Sequence, residues 1–290
     1  FLVGPNLFGL VAGKLAGVKT IVWGNSVSSF TPRDFGLKGI GAALLSKYTS
    51  RLVDVIISNS VVGQLEHEKR FISGKRNSVI WNGIDTKKFC PDIDERNRFR
   101  ENLGIGPTTK LIGQVSRIVE WKGHQIALDA AAELCTAYPE VRFVFVGDGE
   151  DNYLSILKEK TRQLDLEDKV YWLGERSDIN TIMNGLDVFF LSSLRGEGFA
   201  NVIAEAMSTE TVPVVSDVGD SKAVVGDTGI VVEPGDVSEL VNAWLRLISD
   251  QQLLVKMGSE ARARVRVNYS LETMIESTCS VINNHDEHQI

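Results

Sequence analysis

Cysteine is scarce in this sequence: three residues in 290, at Cys90, Cys135 and Cys279, none near another. An odd and scattered set makes neither a disulfide framework nor a metal-ligand cluster, so a reducing compartment is expected. Histidine is as sparse, with four residues. His285 and His288 stand in a polar C-terminal stretch, and no histidine pairs with a cysteine at zinc-binding spacing, so no metal site is expected. No apolar run reaches the ~20 residues that a membrane-spanning helix requires, and no stretch reads as a secretory leader. An excess of positive charge is missing too. The formal net charge is -7, and no basic stripe dominates, which argues against nucleic acid as a partner. No G-x-G-x-x-G opens a helix after a strand, which argues against a dinucleotide-dependent oxidoreductase.

What is present suits a globular protein of more than one domain. The chain is 43% hydrophobic and 24% charged, enough apolar material for a sizeable core, and 290 residues exceed the usual single domain. It opens at Phe1, directly before a helical pattern over residues 6–17, which suggests a longer parent chain shortened at its N-terminus. Apolar runs without strict alternation are separated by amphipathic stretches throughout. The pattern predicts strands at 18–23, 54–58 and 78–81, then 111–115, 141–146, 170–173, 187–191, 212–216 and 230–232. Helices are predicted at 38–52, 60–71, 123–137, 152–164, 179–183, 237–249, 251–257, 260–267 and 271–282, with a polar loop running to about residue 36 and a linker at Cys90-Pro91-Asp92. Continuous apolar strands alternating with helices point to an α/β fold with parallel sheets covered on both faces. Ligands in such folds bind outside the carboxyl ends of the strands, so the loops that follow the strands are where chemistry is expected.

Two of those loops stand out. The stretch 115–123, VSRIVEWKG, places Arg117 and Lys122 five residues apart between a strand and a helix. A planar guanidinium and a point-charge ammonium together suit a diphosphate, although two solvated surface cations would read the same way. The second stretch is RGEGFANVIAEAMS, residues 195–208. Gly196 and Gly198 permit a sharp turn close to a ligand, and the amides of Phe199, Ala200 and Asn201 are predicted to open a helix that attracts an anion. Glu205 then lies about 9 Å along that helix, a carboxylate among Val202, Ile203, Ala204, Ala206 and Met207. With Glu197 at the mouth, the spacing matches sugar, diphosphate and ribose in a nucleoside diphosphate sugar, since carboxylates accept hydrogen bonds from vicinal diols. The blander alternatives are a structural Glu205 paired with an arginine and an exposed Glu197 in a turn. Gly147-Asp148-Gly149 is either a ligand loop or a tight turn, and Trp121 and Trp172 are either base-stacking platforms or core.

Taken together, Arg117-x4-Lys122, Gly147-Asp148-Gly149, Trp172-Leu173-Gly174 and above all Glu197-Gly198-Phe199-Ala200-Asn201-Val202-Ile203-Ala204-Glu205-Ala206-Met207 resemble the retaining glycosyltransferases of family 4. The resemblance covers nearly the whole chain and implies the GT-B architecture, α/β with two Rossmann-like parallel-sheet domains, the N-terminal one incomplete. It implies an acceptor-side part at 1–89, a donor-binding domain at 90–268, and a C-terminal helix with a polar tail at 269–290 that crosses back to the first domain. Arg117 and Lys122 would hold the donor diphosphate in place of a metal ion, and Glu197 would contact the transferred sugar. Glu205 would accept the ribose hydroxyls. Gly198, Phe199, Ala200, Asn201, Gly147 and Leu173 would complete the donor site. Relatives often carry a histidine near the end of the strand at 18–23, where this chain offers Asn25. No cofactor is implied, only a nucleotide sugar, with UDP preferred to GDP. The acceptor would be a glycan or a lipid-linked sugar in cell-surface polysaccharide synthesis, in the cytoplasm or peripherally at the membrane through the missing N-terminal part. On that reading the present chain by itself would be inactive. An epimerase of the same architecture and a non-catalytic nucleotide-sugar-binding subunit are the competing expectations.

Overall fold

The computed structural model describes residues 3–26, 41, 44–70 and 72–283. Most of the expected polar loop before residue 36 and the tail bearing His285 and His288 lie outside the described residues. The chain forms two units: one runs to Gly83 and takes in Gly196–Phe199 and the helix from Leu271; the other spans Ile84–Arg195 and Ala200–Ser270.

The first unit contains a parallel three-stranded sheet in the order β1 (Val22–Asn25), β2 (Val55–Ser58), β3 (Arg76–Val79). Its core gathers Leu10 of the helix Val3–Leu15 with Ile21, Trp23, Val53, Ile56 and Ile72. β1 begins later than predicted. Val18 still belongs to the turn out of the first helix, its amide donating to the Gly13 carbonyl, and Gly17 turns the chain at φ 68°. Buried Asp54 fixes the register just before β2. It accepts the Ile21 amide at 2.9 Å and pairs with Lys75 at 2.7 Å. The helix Val61–Lys69 is capped by Ser60, whose hydroxyl accepts the Gly63 amide. The predicted helix over 38–52 is helical at 41 and 44–49 and tightens to a 3-10 turn at Ser50–Leu52; 42–43 lie outside the described residues.

The second unit is built on six parallel strands: β4 (Leu111–Val115), β5 (Arg142–Val146), β6 (Val170–Trp172), β7 (Val188–Leu191), β8 (Val212–Ser216) and β9 (Ile230–Val232). Their spatial order is β6-β5-β4-β7-β8-β9. The strands are apolar along most of their length, with Gln114 of β4 a polar exception, because both faces are covered, as in other parallel sheets. On one face Trp244 of the helix Val237–Ser249 packs edge-on to Phe190 and beside Phe143, at centroid distances of 4.9 and 5.4 Å.

Two helical expectations are corrected. The pair at 251–257 and 260–267 is one continuous helix, Gln251–Asn268. Gly258 does not break it; a Cβ there would sit 2.2 Å from the Glu210 carbonyl oxygen, so the glycine lets the helix pack closely. The second correction is a helix that no apolar stripe announced, Ile93–Asn102, capped by Asp92, whose carboxylate accepts the Asp94 and Glu95 amides. Only Phe99 and Arg100 of this helix are buried. Arg96 and Arg100 reach Asp187 at 2.7 and 3.2 Å, and Asp187 also accepts the Leu111 amide at 2.7 Å, locking the helix to the starts of β4 and β7.

Candidate functional site

The strand order of the second unit reverses direction between β4 and β7, its first and fourth strands in sequence. In open parallel sheets the crevice at such a reversal, outside the carboxyl ends, is where ligands bind. The two segments leaving it are the two singled out by sequence: 116–123 after β4, and the stretch from Ser192 after β7 into the helix Asn201–Ser208.

The first segment is held at both of its neighbours. Toward β5, the Ser116 amide donates to Val146 O at 2.9 Å and the Ile118 amide to Asp148 O at 2.8 Å. This closeness requires glycine: a Cβ on Gly147, at φ 137°, would sit 1.9 Å from Ser116 O, and one on Gly149 would sit 2.0 Å from Ile118 O. Gly147-Asp148-Gly149 is therefore the bed on which the cationic loop lies. The Gly147 amide in turn donates to Gly174 O, and the Leu173 amide to Phe145 O, bringing Leu173 to the same rim. Toward β7, the Leu194 amide donates to Trp121 O at 2.8 Å, and Gly123, left-handed at φ 71°, lies so near Ser192 that a Cβ would meet its carbonyl oxygen at 2.0 Å.

Arg117 is exposed and Lys122 half-buried on this fixed loop. The Arg117 guanidinium lies 5.7 Å from the Trp121 ring centroid, and the Arg195 guanidinium lies at the same distance from that ring. Trp121 is thus occupied by two cations. Trp172 stacks on Phe145, with centroids 4.5 Å apart and planes 17° apart, which makes it part of the strand packing.

The second segment differs in detail from expectation. Ala200 is extended (φ -81°, ψ 99°) and acts as N-cap without a side-chain hydrogen bond, so the helix starts at Asn201. Phe199 and Ala200 are buried in the approach to it. Glu205 then lies about 6 Å along the axis, four residues at 1.5 Å each, one turn from the start where the sequence suggested two. Of the two glycines in the turn only Gly196 adopts a positive φ, 81°. The exposures are also reversed. Glu197, which the blander reading left exposed, is 7% exposed, while Glu205 is half-buried. Among the described residues no arginine satisfies Glu205. Among the described residues it makes no ion pair, burial pushes its carboxyl above the usual range, and Lys88 only partly offsets that. A desolvated carboxylate without a partner is costly, and its oxygens suit hydroxyl donors.

The structure therefore joins Arg117, Lys122, Gly147 and Leu173 on one hydrogen-bonded rim, with Ala200, Asn201 and Glu205 in the same unit. Glu197, Gly198 and Phe199 group with the first unit, as does Asn25. Asn25 ends β1, is buried, and directs its amide to Ser58 Oγ at 3.3 Å. Among the described residues no cluster of His, Cys, Asp and Glu could hold a metal, and no helix is long and apolar enough to cross a membrane.

Sequence reasoning passed over several residues here. Arg195, at the head of the second stretch, shares the Trp121 ring with Arg117, a role its local sequence does not announce. His124, directly after Gly123, is buried, and burial lowers its pKa to about 4, keeping the imidazole neutral. Gln114 and Ser192 pack beside it under the loop; the signal for Gln114 was a lone polar residue inside an apolar strand.

The family model described as "Glycosyl transferases group 1" matches residues 95–264. A lipopolysaccharide core biosynthesis mannosyltransferase, LpsB of Rhizobium meliloti (strain 1021), is 29% identical over 71% of this chain and 60% of its own length. A UDP-Gal:alpha-D-GlcNAc-diphosphoundecaprenol alpha-1,3-galactosyltransferase of Escherichia coli is 26% identical over 93% of this chain and 70% of its own. The chain thus spans less than two thirds of the first relative's length. Among solved structures, Anabaena Alr3699/HepE in complex with UDP-glucose superposes with a TM-score of 0.85 at 26% identity, covering 98% of this chain and 77% of that one. The α/β fold is that of GT-B glycosyltransferases.

Proposed function

The chain belongs to the group 1 glycosyl transferase family, and we propose on that premise that it binds a nucleoside diphosphate sugar, UDP before GDP, for transfer of the sugar with retained configuration. The observation that carries this reading is the hydrogen-bonded Arg117–Lys122 loop, set across the β4/β7 reversal from the segment that leads to Glu205, which makes no ion pair among the described residues. Residues 90–268 are the donor-binding domain, 1–89 belong to the acceptor side, and 269–290 complete it. Arg117 and Lys122 hold the diphosphate and stabilise the charge that develops as it leaves, a preorganised electrostatic role that requires no metal ion. Glu205 accepts the ribose hydroxyls. Glu197, Gly198, Phe199 and Asn25 serve the sugar, and Ala200, Asn201, Gly147 and Leu173 line the nucleotide.

The choice of UDP rests on what similar proteins are said to bind: UDP-glucose in the Anabaena structure and UDP-Gal in the name of the galactosyltransferase. That name and the lipopolysaccharide role of the Rhizobium protein favour a glycan or lipid-linked acceptor in cell-surface polysaccharide synthesis. The division of labour between the glutamates is testable by titrating wild type and Glu197→Ala with UDP and with UDP-glucose. The proposal expects the variant to lose affinity only for the sugar nucleotide. Equal losses for both ligands would refute the sugar role.

A further inference from the structure

β4 reads Leu-Ile-Gly-Gln-Val, and its one polar side chain, Gln114, is 1% exposed. An amide buried in a strand costs free energy unless its hydrogen bonds are made. Here they are made, and their partners are unusual. An amide nitrogen carries two hydrogens, and those of Gln114 go to the two ends of one loop: Nε2 donates to Ser116 Oγ at 3.0 Å and to the backbone carbonyl of Lys122 at 3.1 Å. Its Oε1 faces the hydroxyl of Ser192, the first residue after β7, at 3.2 Å. That hydroxyl also lies 3.1 Å from Lys122 O and 3.2 Å from Gly123 O. Neutral His124 closes the cluster, with Nε2 at 3.5 Å from Gln114 Nε2 and from Ser116 Oγ.

One side chain therefore ties the residue before Arg117 to the carbonyl of Lys122 and links both to Ser192, just past β7 across the sheet reversal. We propose that Gln114 is a positioning residue that presets the separation of Arg117 and Lys122 for a diphosphate. It touches no ligand itself; it acts through the loop above it. The inference rests on the donor-site reading above, but its geometry stands without it. A loop released at both ends no longer fixes where its two cations stand relative to one another, so losing the clamp weakens recognition of the second phosphate more than that of the first.

The test compares UDP with UMP by calorimetry on the full chain, wild type against Gln114→Met, which keeps the side chain's length and removes its hydrogen bonds. The expected result is a UDP affinity about tenfold lower, the worth of one or two hydrogen bonds to the loop, with UMP affinity nearly unchanged. Loss of affinity for both nucleotides alike would mean that Gln114 only packs the core, and an unchanged preference for UDP would equally overturn the proposal. Should Gln114→Met fold poorly, Ser192→Ala removes one arm of the same cluster and is expected to shift the preference in the same direction. Amide hydrogen exchange without nucleotide separates this inference from the donor reading. Faster exchange in the variant confined to residues 116–123 supports the clamp even if wild type binds no nucleotide. Unchanged exchange contradicts the clamp whatever wild type binds.

Discussion

Glu205 is a carboxylate that the fold largely removes from water. Its carboxyl is raised above the usual range by burial, so the folded chain holds that proton more tightly than the unfolded chain does. The stability tied to the proton is full below the ordinary carboxylate pKa and is lost as pH rises through the raised value. Glu205→Gln is accordingly expected to raise the melting temperature at pH 7, with the difference shrinking toward pH 4, while weakening UDP binding. Thermal melts at both pH values, alongside calorimetry, check this; a less stable variant at pH 7 would mean that the carboxylate is structural. This residue was legible in the sequence because a charge inside an apolar helix is conspicuous. Glu197 was half-legible: its spacing from Glu205 marked it, but its burial follows from tertiary packing that no local pattern encodes. Gln114, Ser192 and His124 were not legible as a group. They meet because β4 and β7, distant in sequence, are neighbours in the sheet.

At the scale of elements, glycines decide how closely loops and helices approach. Gly147→Ala would place a methyl carbon against Ser116 O on backbone with φ 137°. The expected cost is about 1–3 kcal/mol of strain, together with a displaced cationic loop and weaker UDP binding. Denaturant melts and calorimetry on the same variant read both effects, and a variant with unchanged UDP affinity would show that the loop does not depend on its glycine bed. The helix Ile93–Asn102 poses a different problem. Its sequence, IDERNRFREN, has almost no apolar side to present, so helical periodicity could not reveal it. It is held instead by Arg96 and Arg100 on Asp187. Asp187→Ala strands a buried guanidinium and is expected to destabilise the second unit by about 3–5 kcal/mol, measured by urea unfolding. The strands of the second unit, by contrast, were read nearly to the residue, because apolar runs bounded by polar turns are the strongest signal a parallel sheet leaves.

The whole chain carries an acid sensitivity with one source in each unit. Burial lowers His67 in the first unit and His124 in the second to about 4. Both are below the ordinary histidine value near 6.5, so the unfolded chain binds more protons across that interval. Stability is then full above pH 6.5 and falls as the pH drops toward 4, by on the order of 3 kcal/mol per histidine. Urea midpoints measured from pH 7.5 to 4 should decline in that window, and His124→Gln should flatten the decline; an unchanged slope in the variant would assign the acid loss to other groups. The parallel α/β fold was legible from alternation and composition. The grouping of Gly196–Phe199 and of the helix Leu271–Asn283 with the first unit is long-range; resemblance to a family suggested it for the helix alone, and nothing in the sequence suggested it for Gly196–Phe199.

Under the proposed function, two cations on a clamped loop bind a nucleoside diphosphate without a metal ion. The most direct measurement is calorimetric titration of UDP into the chain in the presence of a chelator, repeated with Lys122→Ala. Saturable binding that survives the chelator, and that weakens about tenfold or more when the ammonium is removed, as for a charge-assisted contact to phosphate, is the predicted result. Binding that requires an added divalent ion, or an unchanged affinity in Lys122→Ala, would contradict it.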